Sequence, residues 1–240
     1  MNLKFTVAYD GSCYQGSQKQ PNGMTVEDKL LKAFRKINIE TNIVLSGRTD
    51  KEVHATGQVF NCIIPDFWED FSKLKEILNK NLPSSIKILH IIKVKDEFHS
   101  RFHAKKRVYR YLITSKPTTP FNDKFITYVK NINEELLKKA IKEFIGVYDF
   151  KYFHKTGSDK EVTIREIFDT AFYKYKDFYV FKFTANSYLR SQIRLMVGFL
   201  IAINDKKLTI EDLKAQLKLE KNIFKTPIIP NGLYLAKIKY

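Results

Sequence analysis

Alternating apolar and polar positions predict a strand at the start of the chain. Leu3, Phe5, Val7 and Tyr9 fall on one face of residues 3–10, whereas polar or small residues fall on the other. A period of two is typical of a strand with one buried face. We therefore expect this segment to belong to a sheet that covers a core.

Apolar positions with a helical period follow and predict the first helix. Thr25 precedes them and Asp28 stands three residues later, close to the capping-box pattern that begins helices. The buried face of this helix is expected to contain Val26, Leu30, Ala33, Phe34 and Ile37.

The order of predicted elements is similar in the two parts of the chain. The first part has strands near 3–10, 42–46, 53–64 and 86–95, with the Thr25 helix and a helix near 71–82. The second part has strands near 107–114, 125–130, 163–175, 178–186 and 233–239, with helices near 133–145, 188–204 and 209–217. The first part reads strand–helix–strand–strand–helix–strand, which is the split order of ferredoxin-like units.

These orders predict an α+β fold of two ferredoxin-like halves, residues 1–105 and 106–240. We expect the halves to form one continuous, mostly antiparallel sheet with helices on one face. An active-site cleft is expected between the halves.

Composition indicates the kind of partner. Lys and Arg number 42 against 26 Asp and Glu, which gives a formal net charge of +16. A folded chain this basic usually binds a polyanion, and a solvated lysine-rich surface is the alternative. The longest apolar run, 195–203, covers about half of a bilayer span, and the N-terminal segment lacks a signal-peptide pattern. We therefore expect a soluble, cytoplasmic protein that does not bind membranes.

Cysteine and histidine usage argues against a metal centre. The two cysteines form no CxxC pair, and the five histidines are dispersed without ligand spacing. We expect neither a disulfide framework nor a metal site.

The segment SGRTDKEVHATGQ, residues 46–58, lies between two apolar runs and carries more chemistry than a turn needs. A loop between strands can present the carboxylate of Asp50 to a cleft. Arg48 and Thr49 add a charge and a hydroxyl suited to holding a phosphate or a carboxylate. The alternative is that Asp50 only bonds its own backbone, as Asp does in turns.

Arg194 lies in a helical segment, YLRSQIRLMVGFLIAIN, that is apolar on nearly every side. A helix of this kind is buried, so the guanidinium needs an anionic partner. Asp50 is one candidate. The alternatives are a structural acid nearby, or an Arg194 side chain that reaches solvent.

The segment FHSRFHAKKRVYRYLI, residues 98–113, mixes basic and aromatic side chains. Arg107 and Tyr109 share one face of the predicted strand, and Arg101 precedes it. Such a mixture suits unstacked nucleotides, because cations bind phosphate and ring faces stack on bases. The alternative is a strand whose tyrosines fill the core.

The chain resembles the bacterial tRNA pseudouridine synthase A family along nearly its whole length. The blocks that carry the resemblance occur in the family's order: YDGSCYQGSQKQ (9–20), GMTVEDKL (23–30), GRTDKEVHATGQV (47–59), FHSRFHAKKRVYRY (98–111), GVYDFKYF (146–153), VTIREI (162–167), NSYLRSQIRLMVG (186–198) and PNGLYLAKIKY (230–240). The resemblance implies isomerisation of uridine to pseudouridine in the anticodon stem-loop of tRNA, at positions 38 to 40, by a homodimer without a cofactor.

The resemblance also implies residue roles. Asp50 falls on the catalytic nucleophile, and Tyr109 on the tyrosine that stacks on the target base and removes its C5 proton. Arg194 falls on the arginine that pairs with the aspartate, and Arg48 on the arginine that helps to flip and hold the nucleotide. We add Thr49, Arg101 and Arg107 as substrate-binding residues.

Three positions depart from the family pattern. Glu52 stands where glycine is usual, Ser17 where tryptophan is usual, and Tyr148 where histidine is usual. If position 52 needs a positive φ, a glutamate there costs about 1–2 kcal/mol.

Two other functions compete with the family's. A non-catalytic RNA-binding protein of ferredoxin-like fold would explain the basic, aromatic strand but gives the Asp–Arg pair no purpose. A metal-dependent nuclease would need several clustered carboxylates, and the motif holds a single aspartate.

Overall fold

The computed structural model describes residues 1–21, 23–155 and 162–240, and these divide into two compact units. Unit 1 is Met1–Lys105 with Tyr234–Tyr240, and unit 2 is Lys106–Leu233. The segment Tyr234–Tyr240 thus packs with unit 1, although we expected it in the second half. The reason is a parallel strand pairing of Tyr234 with His54 and of Leu235 with Ala55.

Unit 1 has the predicted split order of strands and helices. Its elements are β1 (Asn2–Tyr9), α1 (Val26–Arg35), β2 (Val44–Leu45), β3 (His54–Ile63), α2 (Phe71–Asn81) and β4 (Ile86–Lys93). β1 lies between β4 and β3, β2 pairs with β3, and all three pairings are antiparallel. The last strand of the chain, β10 (Leu233–Lys239), adds the parallel pairing to β3.

The core of unit 1 follows from its sequence pattern. Leu3, Phe5 and Val7 are fully buried on β1, and the Phe5 ring stacks on Phe60 of β3 with centroids 4.6 Å apart. The capping box predicted before α1 is present, because Thr25 and Asp28 bond each other's backbone N–H groups. Ile37 is only partly buried, since α1 ends before it.

Unit 2 repeats the alternation with one strand that the sequence did not predict. Its elements are β5 (Lys106–Thr114), β6 (Thr127–Tyr128), α3 (Glu134–Lys142), β7 (Gly146–Asp149), β8 (Ile164–Tyr175), β9 (Phe178–Ala185), α4 (Gln192–Asn204) and α5 (Ile210–Leu217). The strands are ordered β5-β9-β8-β7 in antiparallel pairs, with β6 parallel to β5. The α+β, mostly antiparallel fold class is confirmed.

Helix α4 is the buried centre of unit 2, as its composition predicted. Met196, Val197, Phe199 and Leu200 are fully buried. The helix begins at Gln192, four residues later than expected, because Ser191 has a left-handed φ of 59°. Among the described residues, no helix combines the length and apolarity that a membrane crossing requires.

Candidate active site

The loop that carries Asp50 joins β2 to β3 and follows a tight path. The Val53 N–H donates to the Asp50 carbonyl at 3.2 Å, which closes a turn. Glu52 has a φ of 64°, so the position where the family usually has glycine does adopt a left-handed conformation. Asp50 itself is partly exposed.

Ser17 holds the loop one residue before Asp50. The Ser17 N–H donates to the Thr49 carbonyl at 3.1 Å, and the Thr49 N–H donates to the Ser17 hydroxyl at 2.8 Å. Ser17 is fully buried and Thr49 is 6% exposed. Both polar groups of the Thr49 backbone are therefore fixed by a single buried residue.

Tyr9 of β1 and Gln58 of β3 bind the Asp50 loop to the sheet. The Tyr9 and Thr49 hydroxyls share a hydrogen bond of 2.8 Å, and the Gln58 amide donates to the Gly47 carbonyl at 2.8 Å. Burial raises the pKa of Tyr9 to about 12, and hydrogen bonds with Thr49, Gln58 and Ser17 oppose the shift. The Tyr9 hydroxyl therefore stays protonated at neutral pH and can serve as a donor.

Glycines let the N-terminal motif approach this loop. A Cβ on Gly11 would lie 2.0 Å from the Val53 carbonyl oxygen. Gly16 has a φ of 117°, and a Cβ there would lie 3.0 Å from the Thr49 oxygen. The glycines of YDGSCYQG are thus required by backbone packing against the Asp50 loop.

His54 follows the loop and has structural contacts. Its Nδ1 accepts the Gly11 N–H at 3.0 Å, and an Asp10 carboxylate oxygen lies 3.4 Å from the same nitrogen. Its ring stacks on Tyr234 with centroids 4.7 Å apart. These contacts hold Gly11 and the last strand against the start of β3.

Tyr109 lies on β5 in unit 2 and is 8% exposed. Its ring meets the edge of Tyr188 with centroids 5.1 Å apart. Burial raises the pKa of Tyr188 well above its usual value; Tyr109 adds to this rise and Arg107 opposes it. Tyr188 is thus a protonated aromatic neighbour of the predicted base-stacking tyrosine, and no pattern in the sequence marks it as one.

Arg107 and Tyr111, on the same strand, contact the interior of unit 2. Arg107 Nη1 donates to the Asn186 carbonyl at 2.7 Å. The fully buried Tyr111 donates its hydroxyl to the Ile229 carbonyl at 2.8 Å, and burial raises its pKa while Arg194 opposes the rise. Tyr111 therefore belongs to the core, as the alternative for this strand supposed.

Arg194 lies in the first turn of α4 and is partly buried. Its Nε donates to the Ile228 carbonyl at 2.7 Å, and the Ile228 N–H donates back to the Arg194 carbonyl at 3.0 Å. These bonds fix the guanidinium within unit 2. Asp50 belongs to unit 1, so their pairing stays a prediction.

The remaining predicted substrate-binding residues divide by exposure. Arg48 and Arg101 are exposed, and the Arg101 guanidinium lies 5.8 Å from the centre of the Phe102 ring. Thr49 is buried with its hydroxyl on Tyr9. Tyr9, Ser17 and Gln58 were not predicted as part of the site, and only their place in or near the recognised motifs could have indicated them.

Comparison with known proteins gives the family. Residues 6–103 and 140–240 match the family model described as tRNA pseudouridine synthase. The chain is 37% identical to tRNA pseudouridine synthase A of Campylobacter jejuni (strain RM1221) over 242 residues, with 100% of both chains covered. It is 35% identical to the protein of that name from Wolinella succinogenes, covering 98% of this chain and 92% of the relative.

A third relative gives the same result. The chain is 37% identical to tRNA pseudouridine synthase A of Helicobacter pylori (strain HPAG1), with 99% of each chain covered. The crystal structure of a Cbf5-Nop10-Gar1 complex aligns with a TM-score of 0.38 at 13% identity, over 82% of this chain and 44% of that one. By its sequence relatives, this chain belongs to the tRNA pseudouridine synthase A family.

Proposed function

We propose that the chain isomerises uridine to pseudouridine in the anticodon stem-loop of tRNA, with Asp50 as the nucleophile. Membership of the family makes it an isomerase that acts on tRNA. The choice of the anticodon stem-loop and the roles of individual residues go beyond what family membership gives. They are supported by the motif GRTDKEVHATGQV and by the contacts around it.

The observation that carries the proposal is the fixed backbone on both sides of Asp50. Thr49 is bonded to Ser17 before it, and the Asp50 carbonyl closes a turn with Val53 after it. The Asp50 side chain is partly exposed at this turn. A carboxylate that is carried on a fixed backbone and is accessible from outside is pre-organised to meet a bound nucleotide.

The reaction breaks the bond between C1′ of ribose and N1 of uracil and forms one between C1′ and C5. C5 loses a proton and N1 gains one, so nothing is oxidised or hydrolysed and we expect no cofactor. Asp50 either attacks C1′ or removes a proton from C2′, and both roles need an ionised carboxylate. Arg194 would favour that charged form. Tyr109 would stack on the base and accept the C5 proton.

Substrate binding would use the positive charge of the chain. The target uridine must leave its stack, which costs a few kcal/mol and less in a loop than in a duplex. Arg48, Arg101 and Arg107 would hold the tRNA backbone, which gives affinity and register without reading sequence. As parts of the same proposal, the enzyme acts in the cytoplasm as a homodimer, with each tRNA crossing both subunits.

The experiment compares Asp50→Ala with a matched variant of the neighbouring acid, Glu52→Gln. Each is assayed for tritium release from tRNA labelled at C5 of uridine and for tRNA binding on filters. We expect Asp50→Ala to bind tRNA as the wild type does and to release no tritium, whereas Glu52→Gln should retain activity. Tritium release by Asp50→Ala would reject the nucleophile assignment. RNA cleavage that stops in EDTA would support the nuclease instead.

A further inference from the structure

The loop before Asp50 is fixed by a cluster of four buried polar side chains, which we call the hydroxyl cluster. Its members are Tyr9, Ser17, Thr49 and Gln58, which are 5%, 0%, 6% and 0% exposed. They come from β1, the N-terminal motif, the loop itself and β3. The folded core of unit 1 is thus connected to the Asp50 loop through hydrogen bonds.

Three backbone groups of the loop are hydrogen-bonded to residues of the cluster. The Gln58 side chain donates to the Gly47 carbonyl at 2.8 Å, and the Ser17 hydroxyl accepts the Thr49 N–H at 2.8 Å. The Ser17 backbone N–H adds a bond of 3.1 Å to the Thr49 carbonyl. The Thr49 side chain is tied separately to Tyr9 at 2.8 Å. Within the cluster, Ser17 therefore makes the bonds nearest in sequence to Asp50.

We infer that Ser17 is a positioning residue for Asp50, an inference that rests on the proposed function. The N–H of Thr49 is directed inward to the Ser17 hydroxyl, which leaves the next residue, Asp50, at the partly exposed turn. Small displacements of a reacting group lower reaction rates strongly, so loss of the bond between the Thr49 N–H and the Ser17 hydroxyl should lower the rate of the chemical step.

The experiment uses two variants of Ser17 that differ in their ability to accept a hydrogen bond. Ser17→Ala removes the acceptor of the Thr49 N–H, and Ser17→Cys keeps the shape with a weaker acceptor. We expect single-turnover tritium release to fall about tenfold in Ser17→Ala and less in Ser17→Cys, while the Kd for tRNA changes less than about twofold. If Ser17→Ala does not fold, Ser17→Cys alone decides.

The matched control is Ser100→Ala. Ser100 is also fully buried in unit 1, and its hydroxyl donates to the Val44 carbonyl on β2 rather than to the loop. This variant should lose comparable thermal stability and keep the wild-type single-turnover rate. An equal loss of rate in Ser100→Ala, or a change in tRNA Kd alone in the Ser17 variants, would overturn the positioning role.

Asp50→Ala is measured in parallel to separate the two claims. If Asp50→Ala is inactive while folded Ser17 variants react at the wild-type rate, only the positioning role fails. If Asp50→Ala is active, the proposed function itself fails, and the inference about Ser17 fails with it.

Discussion

The backbone N–H of Glu52 donates a hydrogen bond of 3.3 Å to the Tyr14 carbonyl, while Glu52 itself adopts a left-handed φ of 64°. The N-terminal motif thus holds the Asp50 loop in a conformation that suits glycine better than glutamate. The side chain of Glu52 offsets little of this strain, because its ion pair with Lys51 spans 3.5 Å between largely exposed groups.

Glu52→Gly should therefore stabilise the protein. Relief of the left-handed strain is worth about 1–2 kcal/mol, and the extra freedom of glycine in the unfolded chain removes about half of it. We expect the free energy of unfolding in urea to rise by about 0.5–1 kcal/mol.

Two controls separate backbone strain from side-chain effects in this prediction. Glu52→Ala keeps the strain and should leave stability nearly unchanged. Lys206→Gly, at a φ of 60° in unit 2, should stabilise by a similar amount. A less stable Glu52→Gly protein would contradict the strain argument.

The Tyr9→Phe variant tests the role of the buried Tyr9 hydroxyl through the pH dependence of protein stability. At neutral pH the variant leaves Thr49 and Gln58 without their bonds to the phenol, which should cost about 1–3 kcal/mol. Because burial raises the pKa of Tyr9 from 10.0 to about 12, the folded wild type retains a proton that the unfolded chain releases. The wild type therefore loses about 1.4 kcal/mol of stability per pH unit between these values, and the Tyr9→Phe variant escapes this loss because it lacks the phenol.

The stability deficit of the Tyr9→Phe variant relative to the wild type should thus shrink as the pH rises above 10, in urea unfolding measured from pH 9 to pH 11. Tyr128→Phe, which removes a phenol that is 43% exposed, should follow the wild type throughout. A deficit of Tyr9→Phe that stays constant with pH would show that the phenol is not held in its protonated form.

The sequence predicted the elements whose periodicity is set by burial and missed those set by individual contacts. β7, Gly146–Asp149, was not predicted because none of its four residues is buried, so the strand shows no alternation of buried and exposed positions. The predicted start of α4 is too early, because Tyr188 and Leu189 continue the apolar pattern of the helix. In the structure the Leu189 N–H donates to the Gln192 side chain at 2.8 Å, before the helix begins.

The same distinction applies to the candidate site. Asp50, Tyr109 and Arg194 were identified because they lie in recognisable blocks of sequence. The hydroxyl cluster was not predicted, because Tyr9 and Thr49 stand 40 residues apart and Ser17 and Thr49 stand 32 apart. Nothing local in a sequence marks a serine as the partner of one distant backbone amide.

The predicted pairing of Arg194 with Asp50 can be tested without substrate. A cycle of Asp50→Asn, Arg194→Met and the double variant should give a coupling energy of about 1 kcal/mol in urea unfolding, because paired residues are not additive. Arg190→Met is the control, since Arg190 is exposed, and it should be additive with Asp50→Asn. Additivity of Arg194→Met with Asp50→Asn would exclude the pair.

Activity provides a second measurement of the same pairing. Arg194→Met should lower the single-turnover rate and move the acid limb of the pH–rate profile to higher pH, because a nearby cation favours the charged form of a carboxylate. Arg194→Lys keeps the charge and should leave that limb in place. An acid limb that does not move in Arg194→Met would argue against the charge interaction.

Exposure predicts which arginines contribute to the salt dependence of tRNA binding. The net charge of +16 should make log K fall steeply with log salt, and each phosphate contact removed should reduce that slope by about 0.7–1. Arg101 is exposed, so Arg101→Ala should lower the slope. Arg107 is partly buried and bonded to the Asn186 carbonyl at 2.7 Å, so Arg107→Ala should lower the slope less than Arg101→Ala does and should also reduce stability. Lys36→Ala, an exposed cation outside the predicted site, should leave the slope unchanged. Equal slopes for all three variants and the wild type would show that these cations do not contact phosphate.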